Sequence, residues 1–188
     1  SSSSYYPSMI IGITGTIGAG KGTVVEYLVQ YHGFQHYSAR TLLTEEIIRR
    51  GWPVNRDSML LVADEWRAAR GPDYAVRTLF ERASAVGGRA VIESVRAIGE
   101  ADFLKQQADF SFWSVDAPRR VRYDRIMARG SATDSISWEK FLLDDEREMR
   151  NADPARGNIA ACMVMADVTL DNGGDRTALY RQIDDQLK

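Results

Sequence analysis

The stretch Gly15-Thr16-Ile17-Gly18-Ala19-Gly20-Lys21-Gly22-Thr23 decides the reading of this chain. The apolar run Met9-Ile10-Ile11-Gly12-Ile13-Thr14 precedes it, and the amphipathic segment Val24-Val25-Glu26-Tyr27-Leu28-Val29 follows. Together they predict a strand, a glycine-rich loop and a helix, the setting of a phosphate-binding loop. Glycines let the backbone turn tightly and approach a ligand closely, because no Cβ intervenes. The turned backbone aims its N–H groups at one point, and the helix adds the positive end of its dipole there. Lys21 supplies a full charge for β and γ phosphates.

The loop satisfies G-x-x-x-x-G-K, but Gly22 stands where Ser or Thr normally reaches magnesium. Thr23 follows and is the candidate metal ligand in its place. The form Gly18-Ala19-Gly20-Lys21-Gly22-Thr23 resembles the loop of the adenylate kinase family. The strand before it and the later chain are similar to dephospho-CoA kinases and related small P-loop kinases. The resemblance covers nearly everything from Met9 onward. It implies a three-layer α/β fold of the nucleoside monophosphate kinase type, with a five-stranded parallel sheet in the order 2-3-1-4-5. It also implies ATP and Mg²⁺ as cofactors and transfer of the γ-phosphoryl group to a small phosphorylated acceptor.

Size and composition fit one such domain. The 188 residues carry a net charge of −2, so no broad attraction to nucleic acid is expected. No apolar run approaches membrane-spanning length. Cys162 is the only cysteine, which excludes an internal disulfide and points to a reducing, cytoplasmic setting. Residues 1–8, rich in serine, lack the basic and apolar parts of a signal peptide and read as a flexible tail before a single domain, 9–188.

Strand signals at 9–14, 34–38, 89–93, 110–116 and 167–171 alternate with helical patterns, as a parallel sheet covered by helices requires. Ligands of such sheets sit at the carboxyl ends of the strands. Two long intervals stand out. By the resemblance, about 39–88 is the acceptor-binding segment and about 130–150 the lid.

Arginines at strand ends and on the lid are the candidates for transfer chemistry, since guanidinium stays charged and grips phosphate oxygens in pairs. After the second strand, Ser38 matches the serine of the family's acceptor turn; Arg40 is a substitute by position. After the third strand, Glu93 and Arg96 resemble an acidic residue followed by an acceptor-gripping arginine, with one residue fewer between them. Glu93 is placed to bind the acceptor sugar or to order magnesium-bound water. Arg125 and Arg129, four apart on one helical face, resemble the R-x-x-x-R that enters the lid, Arg129 lying against adenine or its phosphates. The plain alternative is a solvated basic face, because Arg119, Arg120 and Arg122 share that helix. Arg147 is the lid arginine expected to return to the transferring phosphate, whereas Arg150 is as well explained by helical ion pairs. Asn172 and Gly173, after the last strand, resemble the turn that packs against adenine.

Other residues read as structural. His32 and His36 lack the spacing of metal ligands. Trp52, Trp66 and Trp113 read as packing. Asn55, Arg56 and Asp57 lie in a turn-rich stretch suited to binding. The acceptor implied is a nucleoside or deoxynucleoside monophosphate. The competing readings are a dephospho-CoA kinase, which would gain from an aspartate after the second strand that this chain lacks, and a nucleotide-dependent switch.

Overall fold

The computed structural model describes residues 8–93, 95–130, 136–151 and 157–188, without the side chain of Arg56. The expected tail (residues 1–7), the opening of the lid (131–135) and Ser94 lie outside the described residues.

The apolar run forms β1 (Met9–Gly15), and the loop opens α1 (Lys21–His32). Then come β2 (Gln35–Ser38), α2 (Ala39–Arg49), α3 (Arg56–Arg70), α4 (Tyr74–Val86) and β3 (Arg89–Glu93). The chain continues through α5 (Ile98–Lys105), β4 (Phe110–Asp116), α6 (Arg119–Arg129), α7 (Trp138–Met149), α8 (Ile159–Met165), β5 (Val168–Asp171) and α9 (Arg176–Gln186). All strand pairs are parallel, in the order β2-β3-β1-β4-β5, as expected.

Burial on both faces explains why the central strands read as continuous apolar runs. On one face Ile11, Ile13, Val91, Trp113 and Val115 pack against Val24 and Leu28 of α1 and Leu179 and Ile183 of α9. On the other, Ile10, Ile92 and Phe112 meet Leu42 of α2, Leu79 and Ala83 of α4, Leu104 of α5 and Cys162 of α8. Each fully buried aliphatic side chain contributes roughly 1.5–3 kcal/mol. Burial also pushes the Cys162 thiol up to about 12, so it behaves as a small core hydrophobe.

Of the tryptophans, Trp113 is a core residue and Trp66 packs on the second cluster. Trp52 departs from the packing expectation: it is 41% exposed, with the Arg50 guanidinium 5.0 Å from its ring centre. No helix among the described residues is long and apolar enough to cross a membrane.

Candidate active site

The turn between β1 and α1 is built by backbone conformations that side chains resist. Gly15 has φ 148°, and a Cβ there would stand 2.1 Å from the Val115 carbonyl oxygen. Gly20, at the N-cap of α1, has φ 102°, and its Cβ would fall 2.3 Å from Asn172 Nδ2. The sheet and the turn after β5 therefore press on the loop from two sides.

Four loop carbonyls accept hydrogen bonds from side chains. Lys21 Nζ donates to Gly15 O at 3.0 Å and Thr16 O at 2.8 Å. Arg122 donates to Ile17 O at 3.1 Å, and Asn172 Nδ2 donates to Ala19 O at 2.7 Å. Thr16 Oγ1 donates to Asp116 Oδ1 at 2.7 Å at the end of β4. Ala19 N–H donates to Thr16 O at 3.2 Å and Val24 N–H to Gly20 O at 3.1 Å, and the amides of α1 ahead of Val24, which have no intrahelical acceptor, are left for an anion.

Lys21 sits among four charges. Burial, followed by the Arg96 guanidinium, lowers it from 10.5 to about 8; Glu148 and Glu93 pull the other way, and Arg122 adds to the lowering. The predicted Lys21, Glu93 and Arg96 are thus brought together. Arg96 gets there because the chain beyond β3 stays against β1: Val95 N–H donates to Ile13 O at 2.9 Å. The Arg96 carbonyl then accepts from Asn158 N–H at 2.7 Å, and its own N–H donates to Glu100 at 3.2 Å. Burial raises the Glu100 carboxyl.

Other candidates fall differently. Arg40 is exposed in the first turn of α2 and is not among the charges Lys21 feels. Ser38 caps α2, accepting from Thr41 N–H at 3.2 Å. Arg125 is held by the turn after β5, donating to Asn172 O at 2.5 Å and Gly174 O at 3.3 Å. Arg129 and Arg147 are exposed. Asn172, whose turn is expected to pack its backbone against adenine, has its side chain buried against the loop. Gly173 N–H donates to Asp171 Oδ1 at 2.9 Å.

Arg122 corrects the picture of a solvated basic face. It is buried and pairs with Asp145 of α7 through two bonds, 2.7 and 3.0 Å, while its Nε donates to Ala117 O at 2.8 Å. Burial alone would raise the Asp145 carboxyl, but Arg122 and Arg119 outweigh it and hold it below its ordinary value. Phe141 is 1% exposed on the same helix. The described part of the predicted lid is therefore anchored to the loop. Glu148, one turn beyond Asp145, brings the second carboxylate toward Lys21. Sequence reading missed Arg122, Asp145 and Glu148; their spacing on α6 and α7 marked only two charged helices.

The metal question rests on Thr23. Its hydroxyl makes no hydrogen bond among the described residues, and a Cβ at Gly22 would meet nothing within 4 Å. No group of three or more His, Cys, Asp or Glu that could hold a metal occurs among the described residues. This fits Mg²⁺, which arrives with phosphate oxygens and keeps waters, better than a metal held in an all-protein cage.

A family model described as an AAA domain matches residues 11–154. A UPF0200 protein of Pyrobaculum aerophilum is 30% identical over 142 residues, covering 75% of this chain and 78% of its own. This chain carries an AAA domain and belongs to the UPF0200 family. A UPF0200 protein of Thermococcus kodakarensis is 28% identical over 89% of the chain and 90% of its own length. Among solved structures, TT1252 from Thermus thermophilus superposes with a TM-score of 0.62 at 25% identity, with 97% of both chains covered. Shikimate kinase from Aquifex aeolicus shares the fold, with a TM-score of 0.52 at 14% identity over 95% of this chain and 96% of its own. What these matches share with the sequence reading is the P-loop kinase fold, a coarser statement than kinship with adenylate kinase or dephospho-CoA kinase.

Proposed function

We propose that this UPF0200 protein is an ATP- and Mg²⁺-dependent kinase that transfers the γ-phosphoryl group to a nucleoside or deoxynucleoside monophosphate. The observation that carries the reading is that Lys21, bonded to Gly15 O and Thr16 O of the loop, also feels the charges of Glu93 and Arg96 after β3. The loop is a donor-phosphate cradle; the corner offers one cation and one carboxylate to a second molecule. An acceptor phosphate is already an anionic nucleophile, so transfer needs alignment and charge neutralisation more than a base.

In this scheme Lys21 neutralises the β and γ phosphates, and Arg96 holds the acceptor phosphate in line. Glu93 accepts from an acceptor hydroxyl. Arg129 and Arg147, both exposed, close on donor phosphates, and Arg125 holds the turn of Asn172 and Gly173 beside the nucleotide. Arg40 contributes at the far end of the acceptor. Thr23 and the donor's phosphate oxygens hold Mg²⁺, which supplies charge neutralisation when bound.

One observation favours a second reading, transfer to a hydroxyl as in dephospho-CoA. Glu93 is a carboxylate already oriented by His36, and a hydroxyl acceptor gains from such a base. The deciding experiment is a coupled ADP-release assay over AMP, CMP, UMP, GMP, dTMP and dephospho-CoA, with wild type and Glu93→Gln. Turnover of a monophosphate supports the first reading. Dephospho-CoA turnover far above every monophosphate, abolished by Glu93→Gln, selects the second. ATP hydrolysis indifferent to every acceptor defeats both.

A further inference from the structure

β2 is the edge strand, paired only with β3. In that register Ser38 lies opposite Glu93 and His36 opposite Val91. His36 and Glu93 are therefore diagonal neighbours on one face of the sheet, within reach of long side chains. They meet: His36 Nε2 lies 2.7 Å from Glu93 Oε2. An ionised carboxylate only accepts, so Nε2 is the donor. The two side chains are 41% and 26% exposed. Beside them a cleft of about 330 Å³ opens along β2, lined by His36, Ser38, Thr41, Glu45 and Arg82 among others.

We infer that His36 is a positioning residue for Glu93, holding Oε2 so that Oε1 is presented to the acceptor. The inference rests on the proposed reading that places Glu93 on the acceptor side.

A half-exposed pair of this kind adds at most about 1 kcal/mol to stability. The strand beneath it is already fixed by its register with β3, so the fold has little need of the bond. The bond's main effect is directional. A glutamate carboxylate turns broadly about its last torsion. A single donor on Oε2 removes that freedom and leaves Oε1, which has no hydrogen-bond partner among the described residues.

The choice of donor matters too. An arginine would pair both oxygens in a fork and consume the group. Histidine supplies one N–H, charged or neutral, and leaves one oxygen open. Lys21 does not take that oxygen: its ammonium bonds Gly15 O and Thr16 O and makes no ion pair with Glu93 among the described residues. Arg96 makes no ion pair with Glu93 among the described residues. Glu93 is thus held by its neighbour in the sheet rather than by the donor-phosphate machinery.

The test is steady-state kinetics of the full chain with whichever of AMP, CMP, UMP, GMP, dTMP or dephospho-CoA is turned over fastest. His36→Ala is expected to lower kcat/KM for the acceptor about 10-fold, as a misaligned carboxylate would. KM for ATP and the thermal midpoint should stay at their wild-type values. His36→Gln, whose amide keeps an N–H donor for Oε2, should recover most of the loss. The double variant His36→Ala/Glu93→Gln should be no worse than Glu93→Gln alone, because the two act as one unit. Three results overturn the inference: His36→Ala at wild-type rate while Glu93→Gln is crippled, losses that multiply in the double variant, or a loss that His36→Gln fails to recover. A silent Glu93→Gln instead removes Glu93 from the acceptor side and takes the proposal about His36 with it.

Discussion

The proposed donor half of this molecule, around the glycine loop, and the proposed acceptor half, α2–α4, are held together by different means. Around the loop, Arg122, Asp145, Asn172, Thr16 and Asp116 are joined by buried or partly buried bonds that run from β1 to α6, α7 and β5. Across α2–α4 most charged contacts lie on the surface, among them Arg49–Glu46, Arg50–Glu65 and Arg82–Glu45, and Arg50–Glu46 is partly buried. Donor phosphates are the same in every reaction of this kind, so their cradle can be rigid and made of backbone. The acceptor half carries its unspent groups on exposed side chains, where exchange of one residue alters specificity without cost to the fold.

The strongest challenge to this contrast is Arg122→Ala. It leaves the buried Asp145 carboxylate with Arg119 as its remaining cation and should cost about 3 kcal/mol in urea unfolding. A cost below 1 kcal/mol would show that α7 is not anchored through this pair.

Lys21→Ala comes next. Kinase turnover should fall at least about 100-fold, or roughly 3 kcal/mol of transition-state stabilisation, in a protein that stays folded. Wild-type turnover would falsify the loop's assignment. Stability should move the other way. Lys21 is lowered from 10.5 to about 8 in the fold, chiefly by burial, so the charged form is the disfavoured one. The cost of burying the ammonium is fully present below pH 8 and is released as pH climbs from 8 toward 10.5. Lys21→Met should therefore gain about 1–2 kcal/mol at pH 7, after allowing for its lost bonds to the loop. That gain should shrink toward pH 10 in thermal scans. A gain that grows with pH contradicts the burial account.

A smaller effect sharpens the division between halves. Arg96→Ala should raise KM for the acceptor about tenfold, near 1.4 kcal/mol, and leave KM for ATP alone, while Arg129→Ala should do the reverse. If Arg96→Ala raised only the KM for ATP, the boundary drawn through Lys21 would be misplaced. Least of all, Arg82→Ala should cost under about 1 kcal/mol, because its partner Glu45 is as exposed as it is. A larger loss would mean that the acceptor half is braced as firmly as the donor half.

The contrast also explains how far the sequence could be read. The strands at 89–93 and 110–116 match their predicted bounds, and the others shift by one residue at an end. Buried strands and the glycine loop announce themselves locally, through apolar runs and through backbone that only glycine adopts. The sheet order came from resemblance, since periodicity is silent about which strands are neighbours. Lys21 and its loop were legible for the same local reason. Arg122 was not: on a helix with Arg119 and Arg120 it looks solvated, and only the arrival of Asp145 from α7 makes it internal. Asn172 was read as a nucleotide contact because its turn is recognisable, but the atom its amide touches, Ala19 O, lies 153 residues earlier. His36 was read as structural because its carboxylate partner is a cross-strand diagonal with no counterpart in linear spacing.

That bond from Asn172 to Ala19 also bears on the protein's birth. The glycine loop is made well before its brace, which follows β5, 153 residues after the carbonyl it holds. Until the end of β5 has emerged, the Ala19 carbonyl lacks its donor and Gly20 lacks the side chain that packs against it. A nascent chain therefore carries the phosphate-binding sequence without the finished cradle until β5 and the turn after it have been made, and nucleotide capture waits on that segment.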